Sequence, residues 1–273
     1  MMLKRIIKYI GRKVLPVTKI AEIYTLSGNH SLCSFCIIIT GGGSGLGLAM
    51  AKKFISEGAK VLITGRREDV LAEAAAELGC EYAVLDVTKP DTFEQFFITA
   101  KAKLGRIDAL VNNAGVSLHE GSFFDVTPEG FDKQIATNFK GAFFMTQAYI
   151  RTLVTDKAQG NVLFISSETG ETADCRPYGY TKAAINSMVQ GLAYLFKNKG
   201  IRINAIAPGI TASAMTGVDP HGDISAGTYG QGRFYLPEEV AEVATFILSP
   251  ASGCISGQII TCNNAQTVNA RWK

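Results

Sequence analysis

The stretch "CIIITGGGSGLGLAMAKKFISEG", residues 36–58, places an apolar run, a glycine-rich turn and an apolar stripe at helical spacing in direct succession. The run "CIIIT" (36–40) predicts a buried strand, and the stripe that ends at Gly58 predicts an amphipathic helix. Glycines at such a junction let the backbone approach a pyrophosphate, and the first amides of the helix favour negative charge. The stretch therefore predicts the first strand–turn–helix unit of a dinucleotide-binding fold. Its expected cofactor contacts are Gly41, Ser44, Gly45, Leu46 and Gly47.

The same alternation of short apolar runs and helical patterns continues along the chain. Strands are predicted at 36–40, 60–64, 81–86, 107–115, 161–167, 201–209 and 257–263. Helices are predicted at 47–58, 67–79, 91–104, 128–153, 178–199 and 237–248. Such alternation indicates a parallel sheet covered on both faces. The predicted fold class is α/β, a three-layer doubly wound Rossmann-type fold with a seven-stranded parallel sheet.

The composition limits the class of protein. A length of 273 residues, a hydrophobic content of 47% and a net charge of +3 are typical of one globular domain, and the charge does not indicate a nucleic-acid partner. The cysteines predict reduced thiols in a cytoplasmic protein, mostly buried where they adjoin apolar runs. The lone C-x-x-C at 33–36 lacks a second ligand pair, so no metal is expected. The cysteines beside apolar runs are Cys36, Cys80, Cys175 and Cys262.

Residues 1–34 form a basic extension ahead of the predicted domain at 35–273. Its first 16 residues carry five basic side chains among apolar residues at helical spacing, and no acid precedes Glu22. We expect the extension to pack on the protein's own body or on a neighbouring subunit. Contact of residues 1–20 with a membrane surface and an organellar targeting role are the alternatives. Residues 215–236, rich in glycine and without periodicity, are expected to form a lid over the substrate site.

The end of the second predicted strand distinguishes between the two nicotinamide cofactors. NAD sites place a carboxylate there, which binds the ribose hydroxyls. In this chain Gly65 takes that position, and Arg66 and Arg67 follow. A carboxylate would repel a 2′-phosphate, whereas a guanidinium can hold it with two hydrogen bonds. We therefore predict NADP rather than NAD; the alternative is that both arginines are only solvated.

Six short motifs then follow one another at consistent spacing, and their order identifies a family. They are "TGGGSGLG" (40–47), "NNAG" (112–115), Asn138 in "IATNFKGAF", "ISS" (165–167), "YGYTK" (178–182) and "INAIAPGITAS" (203–213). From about residue 35 onward, the chain resembles the short-chain dehydrogenase/reductase family. The resemblance implies an oxidoreductase that transfers hydride between a nicotinamide cofactor and a small molecule.

The resemblance implies a catalytic set of Asn138, Ser167, Tyr178 and Lys182. Tyr178 would exchange a proton with the substrate oxygen. Lys182, one helical turn further on, would lower the pKa of Tyr178 and reach the nicotinamide ribose. Ser167 would hydrogen-bond the substrate oxygen. Asn138 would hold a water that links Lys182 to solvent.

Further cofactor contacts follow from the same resemblance. They are expected at Asp86, Val87, Asn113, Ala114, Gly115, Pro208, Gly209, Ile210 and Ser213, besides Tyr178 and Lys182. Ser166 and Tyr180, which adjoin the working residues, are expected to take no part in the chemistry. The segment 263–265 reads Asn-Asn-Ala where the family often has Asp-Gly-Gly, which bears on the C-terminal turn and on subunit packing. The resemblance also implies a homodimer or homotetramer, because in the family the long helices, here at 130–153 and 178–199, commonly pair across subunits.

The leading hypothesis is an NADP-dependent oxidoreductase that interconverts a secondary alcohol and a ketone. The alternatives are an NAD-dependent member that acts on a sugar, a polyol or a 3-oxoacyl thioester, and a cofactor-binding regulatory protein without turnover. Aromatic lid residues favour a bulky hydrophobic ketone, whereas Glu168 and Ser117 would suit a polyol. The expected pocket residues are Val116, Ser117, Glu168, Thr169, Ala173 and Cys175, with Tyr229, Phe234 and Tyr235 from the lid.

Overall fold

The computed structural model describes residues 30–226, 229 and 232–268. Within these residues, seven parallel strands form one sheet in the order β3-β2-β1-β4-β5-β6-β7, so the predicted fold class is confirmed. The strands are β1 (Cys36–Thr40), β2 (Lys60–Gly65), β3 (Glu81–Val84), β4 (Ala109–Asn112), β5 (Gly160–Ile165), β6 (Ile201–Pro208) and β7 (Ile259–Cys262). The main helices are α1 (Gly45–Ser56), α2 (Glu68–Leu78), α3 (Phe93–Leu104), α4 (Pro128–Gln134), α5 (Ala142–Asp156), α6 (Pro177–Phe196) and α7 (Pro237–Leu248).

Strand β1 shows why the sheet has a helical layer on each face. Successive strand residues point to opposite faces, and all of β1 is buried. Cys36 and Ile38 pack in the core shared with α3, α5 and α6. Ile37 and Ile39 pack in the second core, shared with α1, α2 and α7. The continuous β-branched run is therefore the sequence of a strand covered on both sides.

The strand order creates the crevice in which a site can lie. β1 pairs with β2 on one side and with β4 on the other. The chain therefore builds the sheet outward from β1 in both directions, first through β2 and β3 and then through β4 to β7. In doubly wound sheets, ligands bind beyond the carboxyl ends of the strands at such a reversal. The motifs after β1, β4, β5 and β6 all lie at this edge.

Several predicted elements differ from the observed ones in their bounds, and three of these differences bear on the site. β3 ends at Val84 rather than residue 86, and β4 ends at Asn112 rather than residue 115. The chain leaves β4 early because the Thr40 hydroxyl accepts hydrogen bonds from the next two backbone amides. The helix predicted at 128–153 contains a π-helical segment, Ile135–Gly141, between α4 and α5. A π segment adds a residue to the turn and often marks a functional position.

The packed domain begins earlier than the predicted boundary at residue 35. Leu32 is fully buried in the core of α1, α2 and α7. The Glu57 carboxylate accepts hydrogen bonds of 3.0 Å from the backbone amides of His30 and Ser31. The predictions for residues 1–29 lie outside the described residues. In the part of the chain that is described, no helix has the length and apolar character needed to cross a membrane.

All six cysteines are free, but the prediction that those beside apolar runs are mostly buried was wrong. Cys36 is buried, and Cys80 and Cys262 are half-buried, whereas Cys175 is exposed. Cys175 lies in the loop just before α6 and not in an element that packs on the sheet. Apolar sequence neighbours therefore did not imply burial at this position.

Candidate active site

The glycine-rich turn between β1 and α1 is shaped for close approach of another group. Gly41 and Gly45 have φ angles of +65° and +53°, which side chains disfavour. A Cβ on Gly47 would collide with the carbonyl oxygen of Gly41, and a Cβ on Gly42 would lie 2.7 Å from Ile63. The turn therefore presents bare backbone at a helix N-terminus, which fits a pyrophosphate.

The Asn113 side chain joins this turn to the end of β4. Its amide donates to the carbonyl oxygens of Thr40 at 2.9 Å and Gly41 at 3.0 Å. The Thr40 hydroxyl donates to the Val111 carbonyl and accepts from the backbone amides of Asn113 and Ala114. The carboxyl ends of β1 and β4 are thus held as one unit beneath the site.

A cleft with a volume of about 840 Å³ runs along this edge of the sheet. All the predicted catalytic and cofactor-contact residues line it except Gly47 and Asn138. Gly47 packs beneath the glycine-rich turn, and Asn138 is buried behind the cleft wall. The fold therefore brings the predicted set together in one place.

The end of β2 carries cations and no carboxylate. Gly65 ends the strand, and Arg66 and Arg67 are exposed along the cleft. Neither arginine forms an ion pair with another described residue. The buried Thr64 hydroxyl, at the same end of the cleft, has no hydrogen-bond partner among the described residues. This end of the cleft can supply two cations and a hydroxyl to an anionic group.

Asp86 is the acid that follows β3 in the cleft. Burial raises the pKa of its carboxyl, but hydrogen bonds from the Thr88 backbone and hydroxyl oppose that effect. The charges of Arg66 and Lys89 act in the same direction, and the pKa of Asp86 is lowered overall. Both Thr88 bonds fall on Oδ1, so Oδ2 remains free of these contacts and can accept from a ligand.

Tyr178 and Lys182 lie one turn apart on α6, as predicted from their spacing. The Lys182 ammonium is 5.4 Å from the centre of the Tyr178 ring and donates to the Ile165 carbonyl at the end of β5, at 2.8 Å. Tyr180 is 48% exposed on the other side of the helix. The helix therefore presents Tyr178, not Tyr180, to the cleft.

The protonation of this pair differs from the expectation that Lys182 lowers the pKa of Tyr178. Burial raises the pKa of Tyr178, and interaction with the Ser167 hydroxyl only partly offsets it. Burial lowers the pKa of Lys182 to about 8. Burial thus favours the neutral form of Tyr178, whose hydroxyl can donate a proton.

The two serines of the motif after β5 have different environments. The Ser166 hydroxyl donates to Asn186 Oδ1 at 2.6 Å and is buried, which suits a structural serine. The Ser167 oxygen accepts from the Thr169 backbone amide and hydroxyl, at 3.3 and 3.1 Å. Because both contacts use Ser167 as acceptor, its own hydrogen can be donated into the cleft.

Asn138 lies in the π-helical segment, and its amide is bonded to Val116. Oδ1 accepts from the Val116 backbone amide, and Nδ2 donates to the Val116 carbonyl, both at 2.8 Å. Asn138 Oδ1 and Lys182 Nζ lie within 4 Å of the same point beside Gly115. The Asn138 side chain thus anchors the loop after β4, and its oxygen and the Lys182 ammonium both lie beside Gly115.

The substrate end of the cleft differs in part from the prediction. Val116, Ser117, Glu168, Thr169 and Phe234 line it, whereas Ala173, Cys175, Tyr229 and Tyr235 do not. Met215 and Val218, from the segment predicted as a lid, also line the cleft, as do His119 and Arg176, which were missed. The missed residues lie in loops that no sequence period marks, and only the fold brings them to the cleft.

Two contacts organise this end. His119 Nε2 and the Met215 carbonyl are 2.7 Å apart, so the ring donates from Nε2 and joins the loop after β4 to the segment after β6. Arg176 binds Asp174 through two nitrogens, at 3.0 and 3.1 Å, directly before α6. No group of three or more metal-ligating side chains occurs among the described residues.

Comparison with known proteins shows the family to which the chain belongs. A protein-family model described as enoyl-(acyl carrier protein) reductase matches residues 41–264. The chain belongs to the short-chain dehydrogenase/reductase family. As a member, it is an oxidoreductase that acts on CH–OH groups with NAD or NADP as cofactor.

Individual relatives support this assignment. An uncharacterized oxidoreductase of Mycobacterium bovis is 34% identical over 82% of this chain and 93% of its own length. A 3alpha-hydroxysteroid dehydrogenase of Mediterraneibacter gnavus is 32% identical over 84% of this chain and 95% of its length. A solved structure is also similar, that of a 3-ketoacyl-(acyl-carrier-protein) reductase from Brucella melitensis complexed with NADH. It has a TM-score of 0.79 and 26% sequence identity to this short-chain dehydrogenase/reductase. The match covers 89% of this chain and all of that chain.

Proposed function

We propose that this protein is an NADP-dependent oxidoreductase that interconverts a secondary alcohol and a ketone, with Tyr178 as general acid/base. The observation that carries the proposal is the convergence of Tyr178, Lys182 and Ser167 at the cleft, beside a glycine-rich turn that fits a pyrophosphate. When bound, the nicotinamide cofactor supplies the hydride acceptor or donor. The residues of the chain bind and orient the cofactor and the substrate, and they move the proton.

In the direction of ketone reduction, the neutral Tyr178 hydroxyl donates its proton to the carbonyl oxygen as that oxygen gains charge. Ser167 donates a hydrogen bond to the same oxygen, because its own oxygen is already held by Thr169. Lys182 uses one N–H on the Ile165 carbonyl, which leaves two donors for the nicotinamide ribose and for Tyr178. Alcohol oxidation follows the same path in reverse.

The choice of NADP rests on the end of β2. Two exposed arginines, which have no ion-pair partner among the residues that the structure describes, adjoin Gly65, which supplies no carboxylate to repel a phosphate. We expect kcat/KM to be higher with NADPH than with NADH. Arg66→Ser should lower kcat/KM for NADPH at least tenfold and leave that for NADH within threefold. Arg151→Ser, an exposed arginine on α5, is the matched control, and a wild-type preference for NADH would overturn the NADP proposal.

The role of Tyr178 is tested by a pair of tyrosine substitutions on one helix. Tyr178→Phe should lower kcat by a factor of about 10² to 10⁴, which is the usual contribution of a positioned acid. Its Kd for NADPH, measured by fluorescence titration, should stay within threefold. Tyr180→Phe removes an exposed hydroxyl from the same helix and should keep wild-type turnover. Equal kcat in Tyr178→Phe and wild type would refute the assignment.

The substrate proposed is a secondary alcohol or ketone with an apolar body. Val116, Met215, Val218 and Phe234 supply the apolar lining of the substrate end, and Glu168 is already occupied by other side chains. A panel of hydroxysteroids, polyols and 3-oxoacyl thioesters, followed by NADPH absorbance, tests this. The proposal predicts the highest kcat/KM among the steroids, and it is wrong if polyols or 3-oxoacyl thioesters are preferred.

We also propose a homodimer or homotetramer. Exposed apolar side chains occur on both long helices, including Phe143 and Phe144 on α5 and Tyr194 and Leu195 on α6, and the last two are 73% and 66% exposed. Multi-angle light scattering should therefore give two or four times the chain mass of 29.2 kDa. A mass of one chain would reject the proposal.

A further inference from the structure

Glu168 directly follows Ser167, and both of its carboxylate oxygens are engaged by distant parts of the chain. Oε1 accepts from the Tyr229 hydroxyl at 2.7 Å, and Oε2 accepts from the Asn263 amide at 2.9 Å. Tyr229 lies in the segment between β6 and α7, and Asn263 directly follows β7. The Glu168 carboxylate thus links the turn that carries Ser167 to the segment after β6 and to the end of β7.

Tyr229 extends this link to the segment after β6. Its hydroxyl accepts from the backbone amide of Ile210 at 2.6 Å while it donates to Glu168. Burial and the adjacent carboxylate both raise the pKa of Tyr229, so the hydroxyl keeps its proton for this bond. Ile210 is one of the residues expected to contact the cofactor, and it lines the cleft. Glu168 is therefore linked to the segment after β6 by two hydrogen bonds through one intervening side chain, that of Tyr229.

The backbone beside Ile210 is closely packed against side chains. A Cβ on Gly209 would collide with the Tyr229 hydroxyl and would lie 2.7 Å from the Tyr235 ring and 3.0 Å from Asn263 Cβ. The Pro208–Ile210 backbone is consequently packed against the side chains that Glu168 holds. A change in the Glu168 contacts should move this backbone, because packed interiors do not deform locally without effect on neighbours.

The identity of residue 263 matches this arrangement. The family often has aspartate at this position, and an aspartate here would bring a buried carboxylate into contact with the half-buried Glu168 carboxylate. Asn263 is buried, and its amide donates both to Glu168 and, at 3.0 Å, to the Thr267 hydroxyl. Asn263 therefore supplies a hydrogen-bond donor to the Glu168 carboxylate, whereas an aspartate at this position would repel it. Glu168 and Asn263 thus form an acceptor–donor pair.

We propose that Glu168 is a positioning residue, not a substrate ligand: it holds the 208–210 backbone, through Tyr229 and Asn263, at a set distance from Ser167. This inference deepens the proposed function and rests on it. It also makes Glu168 less available to a polyol, because each of its oxygens already accepts a hydrogen bond within the chain.

The test is a reciprocal exchange of the acid and the amide. Asn263→Asp should lower kcat at least tenfold and weaken NADPH binding at least threefold, with KM for the ketone changed less than kcat. Glu168→Gln/Asn263→Asp restores the link, because the introduced glutamine can accept from Tyr229 through its oxygen and donate through its amide to the introduced aspartate. The double variant should return kcat and the NADPH Kd to within threefold of wild type. Asn264→Asp, the same change at the exposed neighbouring residue, is the control and should match wild type.

Tyr229→Phe provides a second variant in case Asn263→Asp does not fold. It leaves the Ile210 amide without its partner and should lower kcat and NADPH affinity in the same direction, at least fivefold each. The inference is overturned if Asn263→Asp matches wild type, if the double variant is no better than Asn263→Asp, or if Tyr229→Phe binds NADPH as wild type does. NADPH binding is measured without turnover, so these outcomes stay distinct from a failure of Tyr178 as the acid.

Discussion

Lys182→Met should make the protein more stable at pH 7 while it abolishes turnover. Burial lowers the pKa of Lys182 from 10.5 to about 8, and each pKa unit corresponds to about 1.4 kcal/mol. Keeping the ammonium inside the protein therefore costs about 3 kcal/mol at neutral pH. Methionine has a similar shape without the charge, and it loses the bond to the Ile165 carbonyl, which is worth about 1 kcal/mol. The net gain in the free energy of unfolding is about 2 kcal/mol.

The pH dependence of this gain is the stronger test. Below pH 8 the lysine is protonated in both the folded and the unfolded chain, so the full cost is present. Between pH 8 and 10.5 the folded chain has released the proton and the unfolded chain still binds it, so wild-type stability rises with pH relative to the variant. The advantage of Lys182→Met should therefore shrink by about 1.4 kcal/mol per pH unit above pH 8 and vanish near pH 9.5.

The assay is urea and thermal unfolding of the cofactor-free protein at pH 7, 8, 9 and 9.5 and at one protein concentration. At pH 7, Tm should rise by about 4–8 °C for a chain of this length. Lys52→Met, an exposed lysine on α1, is the control and should show no pH-dependent difference from wild type. The reasoning fails if Lys182→Met is less stable than wild type at pH 7, or if its advantage is the same at pH 7 and pH 9.5.

Three further substitutions test other contacts. Gly47→Ala should lower stability by about 2–3 kcal/mol and weaken NADPH binding at least tenfold, because the new methyl would collide with the Gly41 carbonyl; unchanged Kd by fluorescence titration would contradict this. Arg202→Met should cost about 3 kcal/mol in urea unfolding, because the guanidinium donates to five carbonyls at and beyond the end of α7; a loss below 1 kcal/mol would show that water replaces it. Glu57→Gln should cost about 2 kcal/mol at pH 7, since hydrogen bonds from Ser31 and Lys53 lower the pKa of Glu57 from 4.5 to about 2. That difference should be constant above pH 4.5 and shrink as the pH falls towards 2, and thermal unfolding at pH 7, 4 and 3 checks it.

The fold and the centre of the site were predictable because their signals are local. A β-branched run followed by glycines and a helical stripe leaves few arrangements other than a strand, a phosphate-binding turn and a helix. In the same way, Tyr178 and Lys182 share a helix face through their spacing alone. These features depend on neighbours within a few residues, and the structure places them where the pattern indicates.

Long-range packing decided the rest. Burial in the assembled core, which spacing along α6 does not reveal, sets the pKa of Tyr178 above its ordinary value and that of Lys182 below it. Glu168 looked available to a substrate from its position beside Ser167, yet Tyr229 and Asn263 occupy it from 61 and 95 residues away. Desolvation and hydrogen-bond partnership depend on what surrounds a group in space, and for these residues the surroundings come from distant parts of the chain.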